Sequence, residues 1–199
     1  MIVYIRHGHD DEELKYSSHQ DDVLLLKQGW ELSRVRARRL IRYFGVPHMI
    51  RCSPFQRAMD TARAMVDWIE KHYAVVVPIE VDRTLSRFFS KDEQAAPDLN
   101  PQTASLEVPI YEQWKDFRRR VSQHTHNMIA MGAYGPDKRI WCISHSIVLL
   151  EVAEYHHTKI RDPVEYLDWF DLQKLPCDGC LQQAYAPTPP SSNSSSPSP

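Results

Sequence analysis

Residues 2 to 8 read Ile2-Val3-Tyr4-Ile5-Arg6-His7-Gly8. A continuous apolar run rich in β-branched residues matches a strand buried on both faces, and the Arg-His-Gly that follows ends it in a turn. The turn brings together an imidazole, a fixed cation and a glycine at the end of a core strand. A histidine that accepts a phosphoryl group needs that set: a ring nitrogen as nucleophile, a guanidinium fork for phosphate oxygens, and backbone room for an anion. Two later segments, Ser53-Pro54-Phe55-Gln56-Arg57-Ala58 and Ile143-Ser144-His145-Ser146, each follow another strand-like run.

Outward from residue 8 the pattern alternates strand and helix. The spacing predicts strands over about 1–5, 46–52, 74–81 and 139–143, with a short last one over Leu181–Tyr185. It predicts helices over about 24–44, 53–72 and 111–132, and one after His145. Val35, Leu40, Ile41 and Phe44 are expected on the apolar side of the first helix, with Gly45 as its stop. Ser53 reads as the N-cap of the second, with Pro54 at its first position. Met59, Ala62, Val66 and Ile69 mark that helix's buried face, and Trp114, Phe117, Val121 and Met128 that of the third. The stretch from about 90 to 105, with Pro97 and Pro101, reads as a loop. This alternation implies an α/β fold, a three-layer α/β/α sandwich with a mostly parallel central sheet. One domain is expected over 1–186, followed by a Pro/Ser-rich disordered tail over 187–199.

Composition narrows the class. The 199 residues are 42% hydrophobic and 25% charged, ordinary for a globular protein, with a net charge of -2. That balance favours neither nucleic acid nor a membrane as partner. No apolar run is long enough to span a bilayer, and the N-terminus lacks a basic segment before an apolar one, so no signal peptide is expected. Of the four cysteines, Cys52 and Cys142 read as buried small hydrophobes. Cys177 and Cys180 have CxxC spacing without a second ligand pair, so a zinc site is not expected. A reducing, cytoplasmic setting fits this usage. A cysteine phosphatase needs five residues between its Cys and Arg, and only four separate Cys52 from Arg57. No Gly-x-Ser-x-Gly elbow is present for a serine hydrolase. His9, His124, His126, His156 and His157 read as surface residues. The arginines at 34–42 and 118–120 read as solvated basic faces.

In an open α/β sheet, ligands bind beyond the C-terminal ends of parallel strands. Arg6 and His7, Ser53 and Arg57, and His145 each follow a predicted strand, so a parallel sheet gathers them at one edge. Two histidines, two arginines and a helix N-terminus make a pocket suited to phosphate.

The set Arg6-His7-Gly8, Ser53-Pro-x-x-Arg57-Ala58 with Thr61-Ala62, and Ser144-His145 resembles the histidine phosphatase superfamily, the fold of cofactor-dependent phosphoglycerate mutase and its phosphatase relatives. The likeness runs from residue 1 to about 155. It implies His7 as the residue phosphorylated, with Arg6, Arg57 and His145 as the phosphate clamp, and no metal or other cofactor. Gly8, Ser53, Ser146 and Arg87 are expected to bind substrate. On this reading neutral His7 attacks phosphorus, the arginines and a protonated His145 stabilise the equatorial oxygens, and water hydrolyses the phosphohistidine.

The chain departs from the family pattern at four places. Where the family has an acidic residue in a Leu-x-Glu context, to protonate the leaving group, this chain has Leu85-Ser86-Arg87. Asp82, Asp92 and Glu93 are candidate replacements, as are Asp10 and Asp11. Ser146 stands for a Gly, where it narrows the pocket or bonds phosphate, and His9-Asp10 for a Glu or Gln followed by Ser or Thr. Leu24 and Leu26 replace an expected Pro and Thr within Asp22–Gly29. The expected activity is that of a metal-independent phosphoric monoester hydrolase of the histidine acid phosphatase type. Its partner is a phosphorylated small molecule or phosphoprotein. A pseudophosphatase that binds a phosphorylated ligand with little turnover is the alternative, and a mutase, whose insertions this chain lacks, a more distant one.

Overall fold

The computed structural model describes residues 1–10, 24–90, 111–130, 138–157, 160 and 163–172. Strand β1 (Ile2–Arg6) lies between β6 (Ile140–Ser144) and β7 (Trp169–Asp171); beyond β6 come β2 (Met49–Cys52) and the edge strand β3 (Ile79–Val81). The contacts β1–β6, β6–β2 and β2–β3 are parallel, and β7 joins antiparallel. A two-residue pair, β4 (Phe89–Ser90) with β5 (Tyr111–Glu112), stands apart. The α/β reading and the mostly parallel sheet hold; β7 and the small pair were not anticipated.

Layering follows from strand alternation. Val3 and Ile5 of β1, with Trp141 and Ile143 of β6, face one core with α1 (Lys27–Phe44) and α2 (Gln56–Tyr73). Ile2, Tyr4, Ile140 and Cys142 face the other, against α3 (Trp114–Ala130) and α4 (Ser146–Tyr155). Both faces are covered, and β1 and β6 are therefore continuously apolar. Burying each large side chain contributes about 1.5–3 kcal/mol.

Several expectations shift. The inner stripe of α1 runs through Gly29, Ser33, Ala37, Leu40, Ile41 and Phe44, leaving Val35 exposed. Small residues there admit the turn after β1: a Cβ on Gly8 would lie 2.9 Å from Ser33 Oγ, and one on Gly29 only 2.4 Å from the His9 carbonyl oxygen. Gly45 ends α1 at φ +76°, its N–H bonded to the Ile41 carbonyl. Strand β3 covers only the last three residues of the predicted 74–81 run, because Ala74 turns left-handed at φ 53° and closes α2 instead. Trp114 is half exposed, whereas Phe117, Val121 and Met128 are buried as expected. The predicted strand at 181–185, the CxxC, the 187–199 tail, the loop beyond residue 90, and Asp11, Asp92 and Glu93 lie outside the described residues.

Candidate active site

The β-ladder runs directly into the site. Beyond the Arg6–Ser144 register pair, the His7 N–H bonds the Ser144 carbonyl at 2.9 Å, and the Ser53 N–H bonds the Ile143 carbonyl at 2.9 Å. Three neighbouring parallel strands thus deliver His7, Ser53 and His145 to one edge, as the sequence implied. Helix α2 brings Arg57 in its first turn, and α4 begins immediately after His145. All four of these residues are buried.

Hydrogen bonding fixes the state of His7. Its Nδ1 lies 2.8 Å from the Gly8 carbonyl oxygen, which can only accept, so Nδ1 carries the proton. The Arg57 Nε–H donates to His7 Nε2 at 3.2 Å, and a guanidinium has no acceptor, so Nε2 presents its lone pair. The Nε2 lone pair therefore faces the Arg57 guanidinium. Gly8 is locked behind it: its N–H bonds Thr61 Oγ1 at 2.9 Å, and that hydroxyl donates to the Arg57 carbonyl at 2.7 Å.

The same reasoning sets His145. Its Nε2 meets Ser53 Oγ at 2.9 Å and its Nδ1 lies 3.5 Å from Arg57 Nη2. Arg57 can only donate, so in this arrangement His145 is neutral, with Nε2–H given to Ser53. The protonated form expected from the sequence is not the one this arrangement holds. Ser53 does not cap α2, which begins at Gln56 with Phe55 as its N-cap. The Ser53 hydroxyl orients His145 instead, a contact between residues far apart in sequence that outweighs the local capping signal.

Around this core sit groups that the sequence weighted lightly or not at all. Asp10 is buried with Oδ2 3.4 Å from Arg57 Nε, and Tyr166 donates its hydroxyl to Asp10 Oδ1 at 2.6 Å. The Tyr166 ring lies 4.0 Å beneath the Arg6 guanidinium carbon. It also packs at 5.6 Å from the His7 ring and 4.2 Å from His9. Arg6 gives one N–H to the Val164 carbonyl, while its buried Nε–H has no partner among the described residues. Such an orphaned donor fits an anion-binding edge. The sequence reading does not include Tyr166; the aromatic pair Trp169-Phe170 is a strand signal beside it.

The other candidates fall elsewhere. Asp82 caps the short turn Arg83–Leu85: it accepts from the Thr84 amide at 2.9 Å, from the Thr84 hydroxyl and from Arg51 at 3.5 Å. His124, also 3.5 Å away, is a further neighbour, so the Asp82 carboxylate is committed to a structural network. Arg87 is half-buried just beyond that turn, where the Leu85 carbonyl accepts from Ser144 Oγ at 2.6 Å. Ser146 is the half-buried first residue of α4. His124 is buried, not on the surface. Arg118 pairs with Glu151 and Glu154, and Arg120 with Glu112, so that stretch is no plain solvated face. Burial pushes the Cys52 thiol up to about 12 and raises that of Cys142 further, so neither is a nucleophile at neutral pH. No helix among the described residues is long and apolar enough to cross a membrane.

The family model described as histidine phosphatase superfamily (branch 1) matches residues 2–161. The chain belongs to that superfamily. Solved structures share its fold. A mycobacterial glucosyl-3-phosphoglycerate phosphatase in complex with VO3 superposes with a TM-score of 0.59 at 17% identity, over 84% of this chain and 88% of that one. A phosphoglycerate mutase from Bacillus anthracis gives 0.58 at 15% identity, over 85% and 87%. The ecdysone phosphate phosphatase of Bombix mori, with tungstate, gives 0.57 at 17% identity, over 86% and 82%. No curated protein matches this chain. Tyr166 lies beyond the segment matched by the histidine phosphatase model.

Proposed function

We propose that this member of the superfamily is a metal-independent phosphatase that hydrolyses phosphomonoesters through a phosphohistidine on His7. The observation that carries the proposal is the His7 tautomer: Nδ1–H tied to the Gly8 carbonyl, and the Nε2 lone pair 3.2 Å from Arg57. A phosphoryl group on Arg57 lies against a nucleophile already in its reactive form. His7 Nε2 forms a bond to phosphorus as the ester P–O bond breaks. Water then attacks phosphorus, the P–N bond breaks, and orthophosphate leaves. Arg57, Arg6 and His145 hold the equatorial oxygens, so the charge stabilisation that phosphoryl transfer requires comes from side chains. The substrate is a phosphorylated small molecule or phosphoprotein, and the setting is cytoplasmic.

The test is hydrolysis of an aryl phosphate by wild type and His7→Ala, with EDTA present, between pH 5 and 8. We expect activity that survives EDTA and vanishes in the variant. Activity lost to EDTA but retained without His7 would refute the proposal. The second reading, a phosphate-binding pseudophosphatase, draws on the Asp10 carboxylate seated against Arg57. It predicts no turnover, with vanadate still raising the melting temperature of the wild type.

A further inference from the structure

Hydrolysis at His7 leaves one need unmet: a proton for the departing oxygen. We propose that Asp10 supplies and recovers that proton, with Tyr166 as the residue that positions it. This inference rests on the phosphohistidine reading above.

Geometry places the carboxyl where the reaction occurs. Asp10 Oδ2 and His7 Nε2 both lie against Arg57 Nε, at 3.4 and 3.2 Å. The carboxyl therefore stands beside the nitrogen that would carry the phosphoryl group. Asp82, the other described candidate, is turned to Thr84, Arg51 and His124.

The carboxyl is also held still. Asp10 bridges Leu25, and the Leu26 N–H bonds the His9 carbonyl at 3.0 Å. That approach requires Gly29, which meets the same carbonyl oxygen. Tyr166 fixes Oδ1, while Oδ2 faces Arg57. Tyr166 is itself clamped between Arg6 and His9, and the next residue, Leu167, holds a left-handed φ of 62° with its N–H directed to the His7 carbonyl. A buried leucine rarely adopts that conformation, which costs on the order of 1–3 kcal/mol and so marks a turn whose placement matters.

The proton balance closes over the two steps. The first step draws on the acid form of Asp10. As the His7–phosphorus bond forms and the ester P–O bond breaks, the leaving oxygen takes the Asp10 proton and departs as an alcohol. The resulting carboxylate then takes a proton from the attacking water as the P–N bond breaks, which restores neutral His7 and protonated Asp10. Among the described residues, the charged and titratable groups around Asp10 are Arg57, His7, His9, Arg6 and Tyr166.

The experiment compares kcat/KM for p-nitrophenyl phosphate, whose leaving group needs little help, with that for glycerol phosphate, whose leaving group needs much. For Asp10→Asn we expect a loss of about 10² to 10³ on the alkyl ester and less than about tenfold on the aryl ester. For Tyr166→Phe, which keeps the carboxyl, we expect a loss of about fivefold, confined to kcat of the alkyl ester. Equal losses on both esters would overturn the proposal in favour of a structural role. Equal gains, with tighter vanadate binding, would overturn it by showing that Asp10 merely occupies the clamp. Should Asp10→Asn not fold, Tyr166→Phe decides by the same contrast. A wild type inactive on both esters, or activity surviving His7→Ala, would instead refute the phosphohistidine reading itself.

Discussion

Two clusters of buried ionisable side chains flank the sheet, and they are held in different ways. At the C-terminal edge, Arg57 meets the side chains of His7, His145 and Asp10. Beneath α3, Arg120 gives hydrogen bonds to the carbonyl oxygens of Thr84 at 2.6 Å and Ser86 at 3.1 Å, as well as pairing with Glu112. Asp82 takes the Thr84 amide in the same region. Backbone partners cannot be exchanged without undoing the turn they belong to, so the second cluster is a fixture. Side-chain partners can rotate toward an incoming anion, so the first can become a binding site without unfolding.

The largest effect that tests this contrast is expected from Arg57→Ala. Losing a single preorganised donor costs about 10²–10³ in rate, and Arg57 supplies several, so we expect a fall of about 10³ to 10⁴ in kcat/KM for an aryl phosphate. Arg57→Lys should recover little, because a single ammonium cannot face His7, His145 and phosphate together. Near-normal activity in either variant would remove Arg57 from the clamp and end the distinction between the clusters.

The converse variant is Arg120→Met, which should leave the chemistry alone and weaken the fold. It strands Glu112 and two carbonyl oxygens in a largely buried place, and breaking a buried pair from one side costs about 3–5 kcal/mol. We expect a lower urea midpoint with an unchanged slope, and activity per folded molecule within about twofold, inside the range of substitutions away from a site. A loss of activity at unchanged stability would show that the second cluster also serves the reaction.

The sheet edge was legible because parallel strand order turns a linear pattern into a shared location. Ile2–Gly8 and Ile140–His145 could each be read by themselves, and placing His7 beside His145 needed only that the strands be parallel. Ser53 was misread because its capping signal is local, while the bond that won, to His145, spans 92 residues. The stripe on α1 was misread at Val35 because close packing against the Gly8 turn favours the smaller Gly29, Ser33 and Ala37 over hydrophobicity. Tyr166 was invisible for a different reason: a tyrosine in a polar stretch gains its role only when an antiparallel strand folds back beside β1. Asp10 reads as an acid candidate from the sequence, but its pairing with Arg57 depends on the depth of a turn that no spacing rule measures.

His124 offers the gentlest probe of the second cluster. Burial lowers its pKa from the usual 6.5, and the cations Arg51 and Arg120 push the same way against the pull of Asp82. The folded protein therefore resists a proton that the unfolded chain accepts. Above pH 6.5 both states hold a neutral ring and His124 adds no pH dependence; as pH falls below 6.5, stability drops, until the folded ring also protonates and the loss levels off. His124→Asn keeps an N–H donor toward the Thr84 hydroxyl oxygen, which lies 2.8 Å from Nδ1 and gives its own proton to Asp82, and removes the titration. The stability of this variant should fall less than that of the wild type between pH 7 and pH 5, by at most about 1.4 kcal/mol per pH unit, the slope of one proton. Parallel curves from chemical denaturation at each pH would mean that the ring protonates as easily folded as unfolded. The cluster would then have to be opening to solvent, and the line between a fixed charge network and an exchangeable one would no longer separate the two regions.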